Sequence, residues 1–182
     1  MVEVEKTGFL SEIRGQSTYR EFPDDEFRRI RSAVADVPAE RFEGYAKGNE
    51  LKRFDAAVAE NLPDYEHEHD GATGRNSVCK LWDNEGFDHS VDLYNAEKRI
   101  AIEIEKSERK RVSDDILKFI KGGKTQRANR KKIEFGCLVV PTNYRRSGDL
   151  FGASMRNLEF IRSVLFVEDV AVLGYVDPRW DR

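Results

Sequence analysis

Cysteine and histidine, which supply disulfides and most metal sites in small folds, are scarce in this chain. Its 182 residues include two cysteines and three histidines. Cys79 and Cys137 lie far apart and form no Cys-x-x-Cys spacing, which excludes a zinc ribbon or a redox motif of that type. We therefore expect both cysteines to be small residues of the core.

Long apolar runs are also absent. No stretch approaches 18 consecutive apolar residues, so the sequence predicts no membrane-spanning helix. Three of the first six residues, from Met1 to Lys6, are charged, whereas a secretory signal peptide would have an apolar segment. These two absences favour a cytoplasmic protein.

The overall composition is typical of a folded protein. Hydrophobic residues make up 39% of the chain and charged residues 36%, which is too apolar for a disordered polypeptide. A chain of this size buries roughly 70% of its unfolded surface, so a core can form without disulfides. We predict a single domain over residues 1–182, with a mainly helical N-terminal part over about 1–63.

The net charge of −3 hides a strong asymmetry along the chain. Between Lys106 and Lys132 there are 11 lysines and arginines against 3 acidic residues, so the rest of the chain is strongly acidic. A basic segment on an acidic protein indicates an anionic partner that meets one surface.

The apolar pattern changes from helical to strand-like near the middle of the chain. Pro23 and the acidic residues after it mark a helix start, whereas apolar residues alternate with polar ones from Val78 onward. The order of elements predicts an α/β (α+β) fold with a central mixed sheet flanked by helices. The predicted helices cover about 24–37, 39–62, 113–121 and 150–165, and the predicted strands 78–82, 89–94, 99–105, 133–140 and 170–176.

Acidic residues on two successive predicted strands form the candidate site. Alternation puts Glu103 and Glu105 on the side of their strand opposite three isoleucines, and Asp92 opposite Val91 and Leu93. A tight turn joins the strands, so antiparallel pairing brings Asp92 and Glu103 within reach of one cation. Such hard oxygen ligands select Mg²⁺. The alternative is that these acids line the solvated face of an antiparallel sheet.

The order of an Asp strand, a hairpin, a Glu-x-Glu strand, a helix and a buried strand resembles the PD-(D/E)xK nuclease superfamily. Val91-Asp92 stands in place of Pro-Asp, and Glu103-Ile104-Glu105 in place of (D/E)-x-K. Restriction endonucleases of the BglII and BamHI type carry Gln or Glu at the lysine position, and residues 91–105 look like theirs. The resemblance covers about 49–140 and implies a restriction-endonuclease-like αβββαβ core, with the catalytic core over about 49–176.

The resemblance also implies roles for individual residues. Asp92 and Glu103 would bind Mg²⁺, helped by the backbone carbonyl of residue 104, and Glu105 would hold a second metal or orient the attacking water. Glu50 or Glu60 of the preceding helix would complete the metal site. Lys106 is a possible substitute for the missing lysine, although strand alternation aims it at the opposite face.

The basic segment supplies candidate DNA contacts. Arginine reads guanine bidentately, and glutamine or asparagine reads adenine, so we expect base contacts in the major groove. The other basic side chains are expected on the phosphate backbone, and the alternative is a solvated basic loop. The base-reading candidates are Gln126, Arg127, Asn129 and Arg130, and the phosphate candidates include Arg109, Arg111, Lys118, Lys121 and Lys124.

Together these features predict a Mg²⁺-dependent type II restriction endonuclease that cuts double-stranded DNA at a short palindromic site. A homodimer would place one active site on each strand of the palindrome. Two alternatives remain open at this point. One is a repair or junction nuclease of the same fold, and the other is a DNA-binding protein that has lost its chemistry.

Overall fold

The computed structural model describes residues 1–15, 18–42, 50–69, 76–84, 87–105, 109–145 and 148–180. In these ranges no helix has both the length and the apolar character needed to cross a membrane. The helices are α1 (Leu10–Arg14), α2 (Asp24–Ala35), α3 (Glu50–Glu60), α4 (Arg109–Lys124) and α5 (Leu150–Ile161), with a 3₁₀ turn over Ala39–Phe42. The strands are β1 (Val4–Phe9), β2 (Glu66–His67), β3 (Lys80–Asn84), β4 (Phe87–Ser90), β5 (Leu93–Asn95), β6 (Ile100–Ile104), β7 (Gln126–Arg127), β8 (Arg130–Lys131), β9 (Phe135–Pro141) and β10 (Asp169–Tyr175).

A six-stranded mixed sheet organises the fold, with the order β1-β10-β9-β6-β5-β2. The three strands β6, β9 and β10 are parallel to one another, and each successive pair is joined through a helix, α4 or α5. The outer strands β1, β5 and β2 pair antiparallel with their neighbours. Every residue of β6, β9 and β10 is buried, which explains their near-continuous apolar sequences. The predicted mixed sheet flanked by helices is confirmed.

Helices cover both faces of the sheet. The isoleucines of β6 pack with α2 and α3 on one face, whereas Ala101 packs with α4 and α5 on the other. Helix α2 begins where the sequence predicts it, since Pro23 is its N-cap and three acidic residues occupy its first turn. At the start of α5 the Asp149 side chain accepts a hydrogen bond of 3.0 Å from the N–H of Gly152.

Two predicted elements differ from the structure. The predicted strand over 89–94 is two strands, β4 and β5, interrupted at residues 91–92. Val91 pairs with Cys79 and packs on the α4 side, whereas Leu93 packs on the α3 side, so the predicted shared face is wrong. Helix α4 begins one turn before the predicted start at Ser113, because Val112 already belongs to its buried face.

The first elements of the chain are tied to the sheet by one buried carboxylate. Asp169 starts β10 and is 0% exposed. Its oxygens accept hydrogen bonds from the N–H and the hydroxyl of Ser11, both at 2.8 Å, and from the N–H of Phe22 at 3.0 Å. These bonds join residues that are 147 and 158 positions apart in the chain. Buried bonds to a charged acceptor are among the stronger hydrogen bonds in proteins.

We expect Asp169→Asn to lower the free energy of unfolding by about 2–3 kcal/mol, because the amide turns two donor hydrogens toward groups that are themselves donors. Ser11→Ala removes the hydroxyl donor alone and should cost about 1 kcal/mol. Urea denaturation at neutral pH measures both values. Equal losses in the two variants would contradict this assignment.

Candidate active site

Asp92, immediately before β5, lies close to Glu103 of β6. Strands β5 and β6 pair with Leu93 opposite Ile102, and the same register puts Asp92 opposite Glu103. The Asp92 carboxylate accepts a hydrogen bond of 2.7 Å from the backbone N–H of Ile104, which holds it against β6. The structure thus brings together the two carboxylates that the predicted hairpin placed on neighbouring strands.

Glu103 is buried inside the protein. It is 2% exposed and belongs to a strand that is buried along its whole length. Its Oε2 atom accepts a hydrogen bond of 2.9 Å from Lys118 Nζ, whereas Oε1 is buried and has no hydrogen-bond partner among the described residues. A buried polar atom without a partner costs stability, so Oε1 indicates a role beyond folding.

Lys118 approaches this carboxylate from α4. Its ammonium also lies 3.2 Å from Asp115 Oδ1, one helical turn earlier. The side chain of Lys118 is 18% exposed, far less than is usual for lysine. Sequence reasoning counted Lys118 only as a phosphate contact; the available signal was the Asp-x-x-Lys spacing beside the buried positions Ile116 and Phe119.

The charges of this cluster are unbalanced. Burial, together with repulsion from Asp92 and Asp115, raises the pKa of Glu103 well above its usual range. Burial also raises the pKa of Asp115 to about 7. For Lys118 burial opposes the charged form, but Glu103, Asp115 and Asp92 outweigh it and raise the pKa. One ammonium therefore faces three carboxylates, and the remaining negative charge favours uptake of a proton or a cation.

The donor atoms of the cluster fit a hard divalent cation. Asp92 and Glu103 offer carboxylate oxygens, and Oε1 of Glu103, which has no hydrogen-bond partner among the described residues, is available as a metal ligand. In the part of the chain that the structure describes, no three Asp, Glu, His or Cys side chains converge closely enough to form a complete ligand set by themselves. Water and substrate oxygens would fill the remaining positions, as is usual for Mg²⁺.

The other predicted acids occupy different surroundings. Glu105 is 6% exposed, and its negative charge adds to the rise in the pKa of Asp115. Glu60 is an exposed residue paired with Arg41 at 2.9 Å, and the side chain of Glu50 lies outside the described residues, as does Lys106.

A buried acid of α3 was missed by sequence reasoning. Asp55 is 5% exposed, and like Glu105 it raises the pKa of the buried Tyr175 hydroxyl, for which burial is the main cause. Its position inside an amphipathic helix gave no local signal, because a charged residue there is usually solvated.

The predicted base-reading residues lie away from the acidic cluster. Lys124 is at the C-terminal end of α4, about 9 Å along the helix from Lys118. The β7–β8 hairpin follows it and is anchored by a hydrogen bond of 2.9 Å from the Arg99 guanidinium to the carbonyl of Lys131. Arg99 precedes β6, whereas Glu103 is near its end, so the hairpin is not adjacent to the carboxylates. Gln126, Arg127, Asn129 and Arg130 are exposed on it, Arg111 is exposed in the first turn of α4, and the side chain of Arg109 lies outside the described residues.

Asp115→Asn should make stability less dependent on pH. The pKa of Asp115 is 3.8 in an ordinary setting and about 7 in the fold, so between these values the folded state holds a proton that the unfolded chain has lost. Stability therefore falls as pH rises through this window, and the variant should be roughly 1–3 kcal/mol more stable than the parent at pH 8. Urea denaturation in EDTA across this range measures the effect.

Asp114→Asn is the matched control, because Asp114 is the exposed neighbour on the same helix. This change should leave the pH profile of the parent protein intact. An Asp115→Asn profile as steep as that of Asp114→Asn would show that Asp115 does not hold the proton.

Comparison with known proteins gives two matches. The Halo_RE family model, described as "Putative halobacteria restriction endonuclease", matches residues 2–175. Among solved structures, the chain is similar to the crystal structure of restriction endonuclease BglII complexed with a DNA 16-mer, with a TM-score of 0.54 and 8% sequence identity. That alignment covers 94% of this chain and 77% of the BglII chain. No curated protein matches the chain.

The two matches carry different weight. An identity of 8% to BglII shows a shared fold alone, and it agrees with the mixed sheet and flanking helices described above. The family model covers nearly the whole chain, including the acidic cluster and the basic hairpin. The chain therefore belongs to the Halo_RE family and is a restriction-endonuclease-like nuclease.

Proposed function

We propose that this nuclease is a Mg²⁺-dependent type II restriction endonuclease of the PD-(D/E)xK type, which hydrolyses phosphodiester bonds in double-stranded DNA at a short palindromic site. The observation that carries the proposal is the buried pair of Glu103 and Lys118 beside Asp92. It joins two metal-binding carboxylates to a cation, and these are the groups that hydrolysis of a phosphodiester requires.

In this proposal Asp92 and Glu103 hold Mg²⁺, with the backbone carbonyl of Ile104 as a further oxygen ligand. A bound Mg²⁺ acts as a Lewis acid on the phosphate and lowers the pKa of a coordinated water. The Asp92 carboxylate is oriented for this role by its hydrogen bond from the N–H of Ile104.

In this proposal Lys118 takes the role of the lysine that the motif usually carries on the strand, at the position of Glu105 here. Its ammonium lies 2.9 Å from Glu103 Oε2, so a phosphate held by Glu103 through the metal would also meet a positive charge. That charge stabilises the negative charge that builds up on the phosphate oxygens during attack. Asp115 holds the ammonium in place from the same helix, and Glu105, at the end of the same strand as Glu103, would orient the attacking water.

The loss of folding stability that this cluster causes argues against a protein that only binds DNA. Burying a carboxylate with an unpartnered oxygen destabilises a fold, and an uncharged residue at position 103 would avoid that penalty. The presence of three carboxylates around one lysine is explained if they bind a metal and a substrate.

Recognition of DNA is assigned to the exposed hairpin of β7 and β8. Ala128 and Asn129 adopt positive φ values of 48° and 61° at its tip, so the turn is tight and projects Arg127 and Arg130 on either side. The related fold of BglII was solved in complex with DNA. We propose that Gln126, Arg127, Asn129 and Arg130 read bases, that Lys124, Arg109 and Arg111 contact phosphates, and that a homodimer presents two such hairpins to the palindrome.

Cleavage of mixed plasmid and phage DNA in Mg²⁺ tests the proposed activity. The parent protein should give discrete fragments, whereas Glu103→Gln and Lys118→Met should each lower the rate by at least about 100-fold, because each loses a group that stabilises the transition state. Glu159→Gln on α5 and Lys6→Met on β1 are matched controls that should cleave normally. Intact linear DNA together with cleavage of branched substrates would support the junction nuclease instead.

The hairpin assignment makes a separate prediction about binding. Arg127→Ala and Arg130→Ala should each weaken binding to duplex DNA, and a residue that contacts phosphate should reduce the slope of log K against log salt by about 1. A base-reading residue should instead relax the preference for one base pair at about 1–3 kcal/mol. Fluorescence anisotropy at several salt concentrations distinguishes the two roles, and unchanged binding in both variants would exclude the hairpin from the interface.

A further inference from the structure

A pocket lies beside the proposed catalytic lysine, between the β3–β4 hairpin and α4. Its volume is about 650 Å³, which is within the usual range for sites that bind small ligands. Leu81, Trp82 and Leu117 form its apolar walls, and His89, Lys118 and Lys121 add polar groups. None of these groups except Lys118 takes part in the hydrolysis proposed above.

Two of the three apolar side chains of this pocket are unusually exposed. Trp82 is 43% exposed and Leu117 is 59% exposed, although neighbouring large apolar residues of α4, such as Phe119, are fully buried. Lys121 Nζ lies 4.0 Å from the centroid of the Trp82 ring, so a cation covers part of the indole surface and fixes its orientation. An exposed aromatic ring held in this way is suited to stack against a flat ligand.

Lys118 connects the pocket to the acidic cluster. The same side chain lines the pocket and donates to Glu103 at 2.9 Å. A ligand in the pocket therefore sits next to the place where the scissile phosphate is proposed to bind. Lys121, one turn further along α4, extends the positive charge toward Lys124 and the basic hairpin.

The charged groups of this pocket favour a nucleotide over the apolar surface of a second protein copy. A second protein copy with an apolar surface would remove water from the Lys121 ammonium without compensation, whereas Lys118 is already paired with Glu103 and Asp115. A nucleotide offers a planar ring for Trp82 and Leu117, and a phosphate for Lys118 and Lys121. His89 and Asp114 line the same pocket and supply hydrogen-bonding groups of the kind that the edge of a base requires.

From this arrangement we infer that the pocket binds a nucleobase of the cleaved strand, next to the scissile phosphate, after the base has left the helical stack. The base stacks on Trp82, and its phosphate lies between Lys118 and Lys121. This inference rests on the proposed function and adds a residue set that positions the substrate. Stacking on an aromatic ring offsets the cost of taking a base out of the duplex.

Tryptophan fluorescence tests the inference directly, because the chain has two tryptophans. In a Trp180→Phe background Trp82 is the sole emitter, and the full-length protein is titrated in EDTA with single-stranded oligothymidylate and with duplex DNA. Stacking should quench the emission of Trp82 on addition of single-stranded DNA. Trp82→Ala should weaken single-strand binding by roughly tenfold, and Trp82→Phe should restore most of it.

Phe160→Ala is the matched control. Phe160 is also an exposed aromatic residue, at 86%, and it lies on α5. Its removal should leave single-strand affinity within roughly twofold of the parent protein, since it lies outside both the pocket and the basic hairpin. Circular dichroism of each variant verifies that the fold is retained.

The possible failures are distinguishable. If the parent protein cleaves DNA while Trp82 emission and the affinity of Trp82→Ala stay unchanged, the pocket inference is wrong and the proposed function stands. If Trp82→Ala instead turns a dimer into a monomer in sedimentation experiments at unchanged affinity for single-stranded DNA, the pocket is a protein contact and the inference is also wrong. If the parent protein neither binds nor cleaves DNA, the proposed function fails and the inference fails with it.

Discussion

The burial of Glu103 is the constraint on which the site depends. The carboxylate lies on a strand buried on both faces, and a charge in that position requires a partner. Lys118 of α4 is that partner at 2.9 Å, so the packing of one helix against the sheet determines whether the site exists. Asp92 is held to the same strand by the N–H of Ile104, which fixes the second carboxylate relative to the first.

The excess of negative charge links this packing to function. Burial is the main cause of the raised pKa values of Glu103 and Asp115, and repulsion from neighbouring carboxylates adds to it. A divalent cation would relieve the same repulsion while it activates a water molecule, so the feature that weakens the fold in isolation prepares it for phosphodiester hydrolysis. From this centre the exposed side of α4 extends past Trp82 and Lys121 to the basic hairpin, so it connects the pocket proposed for a nucleobase with the hairpin proposed to read DNA.

The sequence predicted those parts of the fold that depend on local pattern. Alternation identified β6 and the side on which Glu103 lies, and the fold class followed from the order of elements. The break at residues 91–92 was not predictable in the same way, because it depends on Val91 pairing with Cys79 while Leu93 pairs with β6. The start of α4 was missed because the burial of Val112 depends on residues distant in the sequence that cover it.

By itself, the sequence determined the strand order around the acidic residues, the pairing of Asp92 with Glu103 and the separation of a basic segment from an acidic chain. Each of these follows from periodicity, turn chemistry or charge counts over short distances. Only the tertiary structure decided that Lys118, 15 residues away on a helix, reaches Glu103, and that the basic hairpin lies away from the carboxylates. The first of these contacts is the basis for proposing Lys118 as the counterpart of the lysine that the motif lacks. The physical reason is that helix-to-sheet packing brings side chains together through the shape of the whole core, which no local pattern encodes.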